Sequence, residues 1–213
     1  MIMRAIVVTD IHKKASTATL VNKAAEEHDA DCVLILGDFC EFGPVSFASD
    51  YIKAINKPVY ALPGNCDPLE LPAAVSKVAK DMHGKAATVG GVKIAGLGGS
   101  NPTIFNTPFE LSEEHIFEML DPICSKVTVL MVHAPAFGHL DRIPNGMRVG
   151  STSIRKIVEK HRPAVVLSGH IHEERGIEEA DGTLFVNPGP AKEGYAALLV
   201  IENGVPKVKL LTL

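Results

Sequence analysis

Residues 163–172 read PAVVLSGHIH. The run PAVVL has the continuous β-branched and aliphatic character of a strand covered on both faces. The chain then changes character at once, to a small residue, a glycine and two histidines separated by one apolar residue. A buried strand needs no imidazole at its end, so the question is whether other strands end in the same way. They do. RAIVVT is followed by Asp10-Ile11-His12, VLILG by Asp38, VYALPG by Asn65-Cys66-Asp67, and VTVLMV by His133. An aspartate after a strand is commonly a turn former, and a single histidine is commonly a surface or core residue. Packing rules give no reason for acids, an amide and imidazoles to recur at five strand ends. In open α/β folds the carboxyl edge of the strands is where ligands bind.

The segments between these strands carry helical spacing. Residues 17–28 place Leu20, Val21, Ala24 and Ala25 on one face, and helices are expected at 47–55, 69–80, 112–120 and 151–161, with Ser112 and Ser151 as N-terminal caps. Strand–helix–strand order argues for parallel pairing, whereas the tail from residue 176 onward reads as short strands joined by turns such as ADG and ENG, an antiparallel pattern. The expected architecture is therefore α/β with a mixed sheet content, in one sheet or in two packed face to face. Neither repeat nor linker divides the sequence, and residues 1–213 are expected to form a single domain.

Bulk properties narrow the class. With 213 residues and 46% apolar composition the chain can bury a sizeable core. A net charge of −4 gives no basic footprint for nucleic acid. No apolar run reaches the roughly 20 residues that span a bilayer, and the opening MIMRAIVVTD reads as a strand and not a leader. The four cysteines lack CxxC spacing and are read as reduced thiols, which points to the cytoplasm. A small-molecule substrate is expected as partner, with no membrane, and with self-association as a homo-oligomer left open.

Taken in order, Asp10-x-His12, Gly37-Asp38, Gly64-Asn65, His133 and Gly169-His170-x-His172 resemble the signature of the calcineurin-like metallophosphoesterases, and the stretch from His133 through Arg148 to Glu173 is similar to the small archaeal and bacterial branch that includes phosphodiesterases. The resemblance implies a four-layer α/β/β/α sandwich. It also implies two ions, one held by Asp10, His12, Asp38 and His172, the other by Asp38, Asn65, His133 and His170, with Asp38 bridging. Mixed oxygen and imidazole donors favour a divalent transition metal, manganese first, with nickel, iron or zinc as alternatives. Two such ions counter the charge of a phosphate ester and supply a shared hydroxide as nucleophile. The expected function is a binuclear phosphoesterase, a phosphodiesterase ahead of a phosphomonoesterase. The competing readings are a non-catalytic scaffold of the same fold, like the retromer subunit, and a nuclease or protein phosphatase.

One departure stands out. Many relatives place a histidine directly after the asparagine, where it is thought to assist the leaving oxygen; this chain has Cys66. Asn65 and Asp67 are expected at the catalytic centre, Asp67 having lost the histidine it would orient. Cys66, His139 and Arg148 are expected to line the substrate site, with His139 a possible replacement proton donor and Arg142 a further candidate.

Overall fold

The structure, a computed structural model, describes residues 2–213. In chain order the elements are β1 (Ile2–Val8), α1 (Thr17–Glu27), β2 (Cys32–Ile35), α2 (Val45–Lys53), β3 (Val59–Ala61), α3 (Leu71–Val75), β4 (Lys80–Asp81), β5 (Lys85–Val89), β6 (Val92–Leu97), α4 (Glu113–Leu120), β7 (Val129–Val132), α5 (Thr152–His161), β8 (Val165–Leu167), β9 (Gly176–Ala180), β10 (Thr183–Asn187), β11 (Tyr195–Glu202) and β12 (Val205–Thr212). The strands form two six-stranded sheets, ordered β12-β11-β1-β2-β3-β4 and β5-β6-β7-β8-β10-β9. Pairing is parallel through β1-β2-β3-β4 and through β6-β7-β8-β10, and antiparallel where β11, β12, β5 and β9 join.

Alternation along the strands sorts the apolar residues into three cores. Ile6, Val8, Val33 and Ile35 pack under α1 and α2. Met3, Ala5, Val7, Leu34, Ile94, Val129, Met131, Val165 and Leu199 fill the space between the sheets. Leu130, Val132, Val166 and Phe185 pack under α4 and α5, against Ile116, Leu120, Ile154 and Ile157. Three apolar cores between four layers make the α/β/β/α sandwich that the resemblance implied. Strands of the inner cores are apolar on both faces, which is why the runs VLI and VLMV show no polar alternation.

Two helix boundaries differ from expectation. The helix expected at 69–80 spans only Leu71–Val75, with a proline in its first turn, because the chain must reach the edge strand β4 at Lys80. The other helices agree to within two residues. Both predicted caps are present, the Ser112 side chain accepting from the His115 N–H and that of Ser151 from the Ile154 N–H. Among the described residues no helix is long and apolar enough to cross a membrane.

Candidate metal centre

β1, β2 and β3 of one sheet and β7 and β8 of the other end at one place, and the polar residues that follow them converge there. Tight backbone geometry makes this possible. Asp10, His12, Asp38 and His170 all have positive φ, 54°, 43°, 54° and 69°. The loops lock to one another: the Asp10 N–H donates to the Gly37 carbonyl at 3.0 Å and the His12 N–H to the Asp38 carbonyl at 2.9 Å. Glycine is required beside them. A Cβ on Gly64 would lie 2.0 Å from Asp38 Oδ1, and one on Gly169 would lie 2.0 Å from Thr9 Oγ1.

His170 and His172 reach the site by a different route from the strand alternation that their spacing suggests. β8 stops at Leu167; His170 turns into the left-handed region, Ile171 folds back into the interior, and His172 opens a single 3-10 turn over His172–Glu174.

Two clusters of ligand-type atoms result, Asp10–His12–His172 and Asp10–Asp38–His133, each with its atoms within 4.8 Å of one another. Asp10 Oδ1 lies 3.4 Å from His172 Nε2 and 3.9 Å from His12 Nε2. Its other oxygen accepts from the His170 N–H at 3.2 Å. Asp38 faces both ways: Oδ2 is 3.7 Å from His12 Nε2, and Oδ1 is 3.6 Å from His133 Nε2. Asn65 Oδ1 sits 2.9 Å from His133 Nε2 and 2.8 Å from His170 Nδ1.

The hydrogen-bond logic of this cluster calls for cations. The His133 Nδ1–H donates to the Leu36 carbonyl at 2.8 Å, so in the neutral ring Nε2 carries a lone pair. Asn65 is oriented from the other side: its Nδ2 donates to Thr107 Oγ1 at 3.1 Å, and the Thr107 hydroxyl donates to Glu110 at 2.6 Å. Asn65 Oδ1 therefore also presents a lone pair, and the two meet without a proton between them. Among the described residues, Asp10 Oδ1 and both ring nitrogens of His12 are buried and have no hydrogen-bond partner. Such orphans are costly unless something binds them.

Charge states agree. Burial holds the His12 ring below its ordinary value, and burial followed by the neighbouring His133 pushes His170 down to about 4. Both rings are thus neutral lone-pair donors at pH 7. Burial alone would raise the Asp10 carboxyl, but the nearby His172, His133 and His12 rings bring it well below the usual carboxylate range. The donor set fits divalent transition metals, combining hard carboxylate and amide oxygens with imidazoles.

Other expected site residues have different settings. Asp67 is fully buried, and its carboxylate accepts from the N–H groups of Cys40 at 2.7 Å, Gly64 at 2.8 Å and Phe39 at 3.3 Å. In this position it clamps the loops after β2 and β3 together, with both carboxylate oxygens taken up by backbone N–H groups. Burial, followed by the Asp38 charge, pushes its carboxyl up to about 7. Cys66 is half-buried; its N–H donates to Asp38 Oδ1 at 2.9 Å, and burial followed by Asp38 pushes its thiol far above the ordinary value.

His139 is a correction. His139 stacks on Phe185 with ring centroids 3.9 Å apart, and its Nδ1 pairs with Glu178 at 2.8 Å. That places it on the α5 side of the second sheet, in a separate cleft of 180 Å³ that it shares with Arg155. Arg148 is exposed, and its Nη1 donates to the buried Asp141 at 2.7 Å. Arg142 bridges to Arg148 through the backbone.

Sequence reading missed several supporting residues. Leu36, Thr107 and Glu110 orient the ligands, and the segment after β10 braces the Asp10 loop, the Ala191 and Lys192 N–H groups donating to the Thr9 and Asp10 carbonyls at 2.8 and 3.2 Å. The only available signal was the tail's GPAKEG, whose glycines mark turns without saying what they brace.

Comparison with known proteins agrees with this geometry. A family profile described as calcineurin-like phosphoesterase matches residues 3–174. An uncharacterized protein of Methanocaldococcus jannaschii is 33% identical over 202 residues, covering 88% of each chain. A crystal structure from Thermus thermophilus superposes with a TM-score of 0.74 at 14% identity, covering 98% of this chain and 99% of the other. The structure of an archaeal protein characterised as a novel phosphodiesterase superposes with a TM-score of 0.57 at 14% identity, covering 98% and 100%. At such identities these two structures speak to the fold alone.

Proposed function

The chain belongs to the calcineurin-like phosphoesterase family, and from that membership we propose that it hydrolyses small phosphate esters, diesters ahead of monoesters, using two divalent transition-metal ions, manganese first. Asp10, His12 and His172 would hold one ion, and Asn65, His133 and His170 the other, with Asp38 between them. Bound there, the pair of cations would offset the charge of the phosphate and lower the pKa of water so that a nucleophile exists near neutral pH. The observation that carries the reading is the meeting of the Asn65 Oδ1 and His133 Nε2 lone pairs at 2.9 Å, each turned that way by a hydrogen bond on its far side.

The chain's own groups supply orientation. Leu36 sets the His133 tautomer, Thr107 turns the amide of Asn65, and Asp67 fixes the distance between the loops that carry Asp38 and Asn65. Neutral amide and imidazole donors limit the negative charge that would compete with substrate. The leaving oxygen meets no imidazole at position 66, and His139 is engaged on another face. A thiol such as Cys66 is a weak proton donor at neutral pH.

The test is metal analysis of the purified protein, followed by a panel of phosphate mono- and diesters with manganese, nickel or zinc restored. Two ions per chain and faster turnover of diesters are expected. Stoichiometric metal with no turnover of any ester would instead favour a metal-binding scaffold.

A further inference from the structure

Beside the ligand cluster lies a cleft of 510 Å³ whose floor includes His170 and His172 and whose walls include Ile104, Phe105, Ile143 and Met147. Three of these apolar side chains are open to solvent, Ile104 at 89%, Phe105 at 77% and Met147 at 58%. Exposed apolar groups gathered on one rim mark a binding surface more often than they mark chance.

Both walls are held open by dedicated hydrogen bonds. Glu110 accepts from the N–H and hydroxyl of Thr103 at 3.1 and 2.6 Å and from those of Thr107 at 2.8 and 2.6 Å, so the turn carrying Ile104 and Phe105 is tied at its base. Opposite, the Ile143 N–H donates to the Met147 carbonyl at 3.0 Å, and Asn101 Nδ2 reaches across to the Val149 carbonyl at 3.2 Å. The charge of the lining is equally telling. Among the described residues it contains no lysine or arginine, and apart from the two histidines its one ionisable side chain is Glu173. A second phosphate or a carboxylate would find no lysine or arginine in that lining.

We propose that this cleft receives an uncharged, apolar substituent, an aryl or branched alkyl group, of the phosphate ester whose phosphorus sits at the ligand cluster. The assignment rests on the proposed phosphoesterase reading for the position of the phosphate, and it selects against polyphosphates, phosphoproteins with acidic flanks and nucleic-acid backbones.

Calorimetric binding of two phosphonates to the manganese-supplemented protein tests it without turnover and without a leaving group. Phenylphosphonate is expected to bind at least about tenfold more tightly than methylphosphonate, the scale set by burying one ring. Phosphonoacetate, which carries an extra carboxylate, is expected to bind no better than methylphosphonate. Phe105→Ala and Met147→Ala change exposed side chains and are expected to keep the fold, as circular dichroism would verify, while reducing the phenyl-to-methyl ratio to within about threefold. Equal affinities in the native protein, absence of binding by either phosphonate, or a ratio untouched by both substitutions would overturn the assignment. Equal affinities together with a dimer that Ile104→Arg dissolves would give the apolar walls to a second copy of the chain. A tenfold preference in a protein that hydrolyses no ester would leave the cleft assignment standing and remove the hydrolase reading instead.

Discussion

Three side chains show how the site is tuned at the scale of single residues. Cys66 occupies the place where an imidazole would aid departure of the leaving oxygen, so rates should track how well that oxygen bears charge. General-acid assistance is typically worth about 10²–10⁴-fold. Diesters with a nitrophenoxide leaving group should therefore outrun those with a methoxide leaving group by a factor approaching the ratio of their uncatalysed rates, the non-leaving group being held constant. Comparable rates in steady-state assays would refute this. Thr107 turns the amide of Asn65, its own proton going to Glu110. Thr107→Val keeps the shape and removes the hydrogen bonds; metal affinity should fall about 10–100-fold in a competition titration, the usual cost of losing a supporting partner. His12 has φ of 43°, a conformation that costs a non-glycine residue about 1 kcal/mol or more. Both substitutions there remove the ligand, yet His12→Gly should be more stable than His12→Ala by about 1 kcal/mol in urea denaturation of metal-free protein. None of this backbone geometry is visible in the sequence. The residue types at positions 10, 12, 38, 65, 133, 170 and 172 are conspicuous there, whereas the Leu36 carbonyl that orients His133 lies 97 positions away and is a backbone atom.

Among the elements, the strands were the legible part and the loops were not. The runs VLI and VLMV can only be buried, and their ends announce themselves by a switch to polar residues. The spacing of His170 and His172 suggested strand alternation, but Ser168 and Gly169 already lie beyond β8, and the turn that follows, not the pleat, aims the rings. His139 is expected at the substrate because it follows His133 in the chain; the excursion of residues 134–150 carries it to Glu178 instead, while Arg148 pairs with Asp141. The turn at 103–107 offers a pH test. Burial would raise the Glu110 carboxyl, but hydrogen bonds from Thr103 and Thr107 outweigh it and bring it from 4.5 down to about 2. A carboxyl depressed on folding stabilises the folded form fully above its unfolded value and loses that contribution as pH falls toward the folded one. The turn should therefore keep its order down to about pH 4.5 and loosen progressively toward pH 2. Amide exchange at Phe105 and Thr107, corrected for intrinsic rates, would follow it, and Glu110→Gln should show weaker protection at pH 7 together with a flatter profile. Unchanged protection between pH 5 and pH 2.5 would contradict the assignment.

At the level of the whole molecule, ligands from β1, β2 and β3 meet those from β7 and β8, so each bound ion would tie one sheet to the other. An ion that binds only the folded chain stabilises it by about 2.7 kcal/mol at a hundred times its dissociation constant. For a chain of this size that corresponds to roughly 5–10 °C in melting temperature. Calorimetry after chelation should show a fall of that order, reversed by manganese; identical melting curves with and without chelator would mean that no ion joins the sheets at this point. The connectivity has one more implication. β1 sits between β2 and β11, and its partner β11 begins only at Tyr195, after every candidate ligand has already been laid down. During synthesis on the ribosome β1 must wait, one flank bare, until residues 195–202 have emerged. A message ending before residue 195 would yield a polypeptide with all the candidate ligands and an open seam along β1, ready to stick to its neighbours.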